Sequence, residues 1–351
     1  MKLLLYFCQI IYMDSLTQIV LGAACGEAAL GKKIGNKAVL FGAIGGTIPD
    51  LDVFIGRWLY TNEIDIMAFH RGFMHSIIFS IIGAFLIGWL VYSLYNTGKR
   101  KDTTTLKNWI WLFFLSIFTH PILDSFTPYG TQLFAPFSDY RVAFNTISVA
   151  DPAYTIPFLL ALIVLMFFKR QSARRRLWLK LGLGISSAYL VFTLGNKIYI
   201  NAVFKKSLQN EGIVYKRFQT QPTILNNVLW FGIAETNDAY YVGFYSLFDT
   251  SSKVEDWHRL TKNHDLIKEK SAEIETLTWF SNGYYNLTAL DDGLFRYNDL
   301  RYPSFDKNDP NNAIFSFTIQ KEGNRWNILP SDGKPPTRED FNYLLKRIKG
   351  R

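Results

Sequence analysis

The chain has 351 residues, enough for two domains, and 49% of them are hydrophobic. The net charge is +9, but the basic residues sit beside apolar runs, which points to membrane topology rather than nucleic acid. The two cysteines, Cys8 and Cys25, lie in apolar segments and exclude a disulfide framework or a Cys-based metal motif.

Residues 1–12 are apolar, with one lysine and no clear small-residue cleavage site. They could be read as a signal peptide, Met13 is a plausible true start, and an extension of the first helix is the bland alternative. Residues 15–30 and 38–49 follow as two short apolar segments. Gly22/Gly26 and Gly42/Gly46 give each a GxxxG spacing, which lets helix backbones approach closely, so the pair is expected to form a tight hairpin. Residues 76–95 form the clearest span, 20 residues without a charge, against the ~20 that a bilayer core requires. Residues 108–123, 153–168 and 181–196 are further uncharged runs.

The connectors alternate in character. Lys32, Lys33 and Lys37 mark one basic turn, Lys99, Arg100, Lys101 and Lys107 a second, and Lys169, Arg170, Arg174, Arg175 and Arg176 a third. The positive-inside rule places all three in the cytoplasm. Residues 50–75, residues 125–152 and everything after about residue 200 then face outward. The expected architecture is a multi-pass α-helical membrane domain of about six helices, residues 1–200. A small extracytoplasmic α+β domain with an antiparallel sheet, residues 201–351, follows it.

Three of the five histidines lie in the helical half. They stand in His70-Arg71-Gly72-Phe73-Met74-His75-Ser76 and Thr119-His120-Pro121-Ile122-Leu123-Asp124-Ser125, with Pro49-Asp50-Leu51-Asp52 upstream. His120 and Asp124, four apart on a helix, share one face. By the topology above, no membrane crossing separates these segments. Asp50, Asp52, His70, His75, His120 and Asp124 are therefore the candidate metal ligands. Imidazole and carboxylate together suit Zn²⁺, with Mn²⁺ or Fe²⁺ as alternatives. Ionisable groups at membrane depth are costly and mark function. Arg71 is placed to clamp a phosphate or stabilise an oxyanion, and Asp151, before Pro152, is a further ligand or general base. Asp14 is a weaker candidate, and Glu27 lies toward the cytoplasmic end of its helix and is left out. The bland alternatives are interfacial histidines, a hydrogen-bonded His120–Asp124 pair and a Pro-Asp-Leu-Asp helix stop.

At these residues the sequence resembles the LexA-regulated, membrane-bound, metal-dependent hydrolases of bacterial inner membranes. The resemblance is carried by Met13-Asp14-Ser15-Leu16-Thr17-Gln18, Ile48-Pro49-Asp50-Leu51-Asp52, the 70–76 segment and His120-Pro121-Ile122-Leu123-Asp124-Ser125-Phe126-Thr127-Pro128-Tyr129-Gly130-Thr131. It covers residues 13–200 firmly and implies a start at Met13. That family is remotely similar to zinc-dependent phospholipases C and single-strand nucleases, whose His-x-x-x-Asp motif falls on His120 and Asp124. Their further His-x-x-x-Glu motif is missing here, and Gln18 stands where some relatives carry a first-helix histidine. The resemblance thus implies one or two ions rather than three.

The expected activity is hydrolysis of a phosphoester or related bond in a lipid-like substrate at the outer face of the inner membrane. Membrane lipids would be the partners, with no nucleic acid. The alternative is a non-enzymatic scaffold or envelope-stress protein with a structural metal. A metal transporter ranks last, because residues 76–95 and 153–168 carry no polar path.

In the C-terminal half, residues 228–234, 239–247, 277–290 and 313–320 read as strands. Asp291-Asp292-Gly293 and Glu322-Gly323-Asn324 read as hairpin turns. Residues 256–272 and 337–348 read as helices, the second with Thr337 and Asp340 in a capping-box arrangement. His258 and His264 lack ligand spacing, and Asp299-Leu300-Arg301 reads as structural.

Overall fold

The structure, a computed structural model, describes the backbone of residues 2–304, 313–329 and 337–350, and side chains within those from residue 15 onward. Asp14 and Cys8, and the expectations for residues 1–12, fall outside the described side chains. The α-helices are α1 (Lys2–Ile34), α2 (Asn36–Thr47), α3 (Asp52–Leu59), α4 (Glu63–Phe69), α5 (Ile77–Tyr95), α6 (Leu106–Asp124), α7 (Pro152–Met166), α8 (Ala173–Asn210), α9 (Ala272–Phe280) and α10 (Arg338–Ile348). The strands are β1 (Arg217–Pro222), β2 (Leu229–Glu235), β3 (Ala239–Ser246), β4 (His258–Thr261), β5 (Tyr285–Ala289), β6 (Phe295–Asp299), β7 (Ser316–Glu322) and β8 (Arg325–Ile328).

The chain divides into two compact units. One comprises Ile10–Gly56 and Phe69–Thr193, the other Met1–Gln9, Arg57–Ala68 and Leu194–Arg351. Among the described residues, three helices are long and apolar enough to cross a membrane: α5, α6 and α8. A fourth span results if α2 and the Pro49–Leu59 segment, bent by 44° from it, count as one. α7 is apolar but shorter, at 15 residues. Each expected apolar segment is helical, while length and composition qualify three or four as spans where about six were expected.

The GxxxG pairs explain how α1 meets α2. A Cβ on Gly22 would stand 2.4 Å from Gly42 O, and one on Gly42 would stand 2.2 Å from Gly22 O. Only hydrogen fits there, so the backbones touch. Around this crossing lie two apolar clusters. Val20, Ala24, Tyr154, Phe158 and Leu165 belong to one, and Trp109, Leu112, Phe113 and Ile117 to the other.

In the second unit, β1-β2-β3-β4 and β5-β6-β7-β8 form two antiparallel four-stranded sheets, where the sequence suggested one. The expected turns at residues 291–293 and 322–324 join β5 to β6 and β7 to β8. Asp292, Gly293 and Gly323 supply the positive φ angles these turns need. Thr337 and Asp340 form the capping box of α10. Two expectations fail. The first part of residues 277–290 is helical: Ser271 caps α9 through Ile274 N, Glu273 and Glu275 occupy its first turn, and Asn282 and Gly283, both at positive φ, end it. Residues 256–272 are not one helix either, because 258–261 pair with β3 along 239–242 as β4. The lysines and acids there favour helix, but the free edge of β3 decides.

Candidate metal centre

The site lies within the helical unit and draws on four stretches of chain. Pro49 opens a short 3₁₀ turn that holds Asp50, and Asp52 begins α3. His70 and Arg71 follow α4, and His75 ends a second 3₁₀ turn before Ser76 caps α5. His120 and Asp124 occupy the last turns of α6.

Three donor atoms face one another. His75 Nε2 and His120 Nε2 are 3.2 Å apart, and Asp50 Oδ1 lies 3.4 Å from the first and 3.3 Å from the second. A coordination tetrahedron with bonds of about 2.0–2.1 Å has edges of about 3.3–3.4 Å, so the triangle matches one face of it. Asp124 Oδ2 lies 3.5 Å from both imidazole nitrogens. It is buried and makes no hydrogen bond of its own.

The surroundings fix these atoms. His120 Nδ1 lies 2.6 Å from the carbonyl of Gly46. A carbonyl only accepts, so Nδ1 carries a proton, and Nε2 is the nitrogen left to face His75, Asp50 and Asp124. The close α1–α2 crossing brings Gly46 to this position. Gln18 Nε2 donates to Asp124 Oδ1 at 2.6 Å and to His120 O at 3.2 Å, leaving Asp124 Oδ2 to face the histidines. His75 Nδ1 lies 3.1 Å from Asp52 Oδ2, off hydrogen-bond alignment.

Charge points the same way. Asp50, Asp52 and Asp124 gather around the two histidines, and the Arg71 guanidinium pairs with Asp124, its Nε 3.3 Å from Oδ2. With neutral imidazoles the carboxylates outnumber the cation, a surplus that a divalent ion offsets. Burial opposes protonation of His75, yet Asp52 and Asp50 hold its pKa above the ordinary histidine value. Metal binding at such a ring displaces that proton.

The sequence-derived residues sort into three groups. Asp50, His75 and His120 converge, with Asp124 beside them. Asp52 and His70 stand one step back: Asp52 Oδ1 accepts from His70 Nδ1 at 2.8 Å and Oδ2 from Arg71 N at 2.9 Å. They tie the loop that carries His75 rather than facing the triangle. Arg71 is buried, adopts a left-handed φ of 59°, donates to Thr127 Oγ1 at 3.1 Å and lies 4.8 Å over the Tyr129 ring. Arg141 lies over the same ring at 4.7 Å. Asp151, expected as ligand or base, has another role. Its Oδ1 accepts from Ala153 N at 2.9 Å and caps α7, and its Oδ2 accepts from Tyr189 at 2.8 Å. Burial pushes its carboxyl pKa up. Among the described contacts, none joins Asp151 to the cluster. Gln18, noted in the sequence only as standing where some relatives carry a histidine, is the residue that was not assigned to the site. The signal was present, since an amide on an apolar helix needs a polar partner.

Comparisons with known proteins agree with the helical half. The family model described as YdjM inner membrane protein matches residues 13–198, so the chain belongs to that family and is a membrane protein. The chain is also similar to the uncharacterized protein YfhP of Bacillus subtilis (strain 168), 31% identical over 159 residues. That match covers 43% of this chain and 46% of the relative, so the chain spans less than half the length of the relative it matches. No solved structure matches.

Proposed function

We propose that this member of the YdjM inner membrane protein family is a multi-pass, metal-dependent hydrolase. It cleaves a phosphoester or related bond in a lipid-like substrate at the outer face of the membrane. The observation that carries the reading is the triangle of Asp50 Oδ1, His75 Nε2 and His120 Nε2, with edges of 3.2–3.4 Å and an unbonded Asp124 oxygen beside it. Asp50, His75 and His120 would hold one divalent ion, zinc by preference, leaving a fourth position for water beside the Asp124 carboxylate. Such an ion supplies Lewis acidity, acidifying water and polarising a phosphoryl oxygen.

The protein's own groups do the rest. Gly46 O fixes the His120 tautomer, and Gln18 turns Asp124 toward the centre. Arg71, braced by Thr127 and Tyr129, places a permanent positive charge where an oxyanion would form. The Asp50 side chain is 17% exposed and that of His70 16%, against 0–1% for His75, His120 and Asp124, so substrate would enter from the Asp50 side. The three basic connectors support an outward-facing site and C-terminal domain.

The test uses purified protein in nanodiscs of glycerophospholipid, with released headgroup and diacylglycerol measured with and without a chelator. Metal-dependent release, absent in His120→Ala, is expected. A metal-loaded protein that releases nothing from any phosphoester lipid would sink the hydrolase reading. A scaffold with a structural metal would then stand, as the near-complete burial of His75, His120 and Asp124 would allow.

A further inference from the structure

The segment between the two halves of the metal cluster is a helical hairpin. Asp52 opens α3, and His70 and Arg71 follow α4. Both Asp52 oxygens bond to the far end of the hairpin, to His70 Nδ1 at 2.8 Å and Arg71 N at 2.9 Å. The base of the hairpin is therefore tied off inside the metal centre, five residues or fewer from His75.

Its tip is held elsewhere. Residues Arg57–Ala68 belong to the same compact unit as the C-terminal sheets, not to the helical unit. Asn62, in the turn between α3 and α4, is only 6% exposed. Its Nδ2 donates to Trp326 O and to Asn327 Oδ1, both at 3.0 Å, and its Oδ1 accepts from Ile64 N at 2.9 Å. Trp326 and Asn327 lie in β8. Arg325 of the same strand pairs with Asp65 of α4 at 3.1 Å and with Glu273 of α9 at 2.8 Å. The Arg325 side chain is 57% exposed, so these pairs add little. The buried amide is the stronger grip, because every bond it loses leaves a buried polar group unmet.

We propose that Asn62 is a positioning residue for the metal centre, through which the C-terminal domain braces the α3–α4 hairpin and with it the Asp52–His70–His75 geometry. The proposal rests on the metal reading above. It gives the C-terminal domain a role that requires neither substrate nor partner. Only an amide serves here, since one end must accept from Ile64 N while the other donates to a carbonyl of β8.

The test measures Co²⁺ binding to the full-length protein in detergent, by the visible d–d absorption that reports coordination geometry. Asn62→Ala is expected to raise the Co²⁺ dissociation constant about tenfold with every ligand retained, in the range for groups that orient ligands. Asn62→Asp, which keeps the acceptor but sets a carboxylate against Trp326 O, is expected to weaken binding as well and serves if the alanine variant does not fold. Ser281→Ala removes the buried bond to the Tyr297 hydroxyl, 2.8 Å, within the same domain. It is expected to lower stability while leaving the cobalt affinity and spectrum unchanged. Wild-type affinity and spectrum in both Asn62 variants would overturn the proposal. Equal weakening by Ser281→Ala would also overturn it, since general loosening would then suffice. Failure of the wild-type protein itself to bind cobalt would instead remove the metal reading, and this proposal with it.

Discussion

Among the described residues, the helical unit buries acids together with basic side chains in two places, and it treats them in opposite ways. At one, Arg175 and Glu27 form a two-pronged pair at 2.7 and 2.6 Å, and Arg175 Nη1 reaches Asn36 Oδ1 at 2.7 Å and Phe168 O at 3.1 Å. Both carboxylate oxygens are matched, so nothing is left for a ligand. At the other, two imidazole nitrogens face each other and an aspartate oxygen has no hydrogen bond. A closed pair explains itself as structure. An open cluster of comparable burial is costly unless something completes it. The contrast separates a residue buried for packing from one buried for binding.

The sharpest way to break this comparison is to remove donors from the open cluster. The His120→Ala/Asp124→Ala variant should fall from about one equivalent of bound zinc or manganese per chain to background, read by elemental analysis. Folding should survive, because the variant also removes buried charge. Metal content equal to wild type would reduce the cluster to a polar network. Breaking the closed pair should do the reverse. Glu27→Gln leaves the Arg175 guanidinium buried without its counter-charge and should cost about 3 kcal/mol of stability. Metal per folded chain should stay unchanged. A stable Glu27→Gln protein with depleted metal would mean that the two places are not independent.

Sequence reasoning reached the helical half more fully than the C-terminal half, and the reason is physical. A bilayer demands long uncharged runs, and GxxxG spacing has one main structural use, so residues 76–95 and Gly22/Gly26/Gly42/Gly46 were readable. Strands carry weaker signals. Residues 277–280 have the aromatic and β-branched character of a strand, yet Ser271 and the acidic first turn make them helix. β1 and β4 were not anticipated, and β6 and β8 only through the hairpin turns before them, because pairing partners rather than composition define them. At the site, residue types and spacing named the histidines and aspartates but not their ranks. That Asp52 holds His70 while Asp50 faces His75 depends on a 3₁₀ turn at Pro49, which spacing alone does not specify. Asp151 had the right residue type but lies at a helix cap.

A milder perturbation probes the second rank of the open cluster. Gln18→Ala removes the only hydrogen bond described to Asp124 Oδ1, at 2.6 Å, and lets the carboxylate turn. Metal affinity should fall about tenfold, as for other groups that orient ligands. Isothermal titration with Zn²⁺ reads it, and an unchanged affinity would show that Asp124 needs no such support.

The smallest effect lies in the C-terminal unit, where a closed cluster sits nearer water. Partial burial works against the Glu235 charge, but Lys262 at 2.6 Å and Arg217 at 2.5 Å prevail and hold its pKa below the ordinary value. A depressed carboxylate pKa stabilises the fold above the unfolded value, about 4.3. That contribution is lost as pH falls through the folded value. The Arg217 side chain is 40% exposed, so solvent screening limits the contribution to under about 1 kcal/mol. Unfolding followed by tryptophan fluorescence between about pH 5 and pH 3 should show stability falling in the wild-type protein and falling less steeply in Glu235→Gln. Identical slopes would mean that the acid sensitivity of this domain arises elsewhere. They would also mean that a closed cluster near the surface is as inert toward pH as Glu27–Arg175 is proposed to be toward metal.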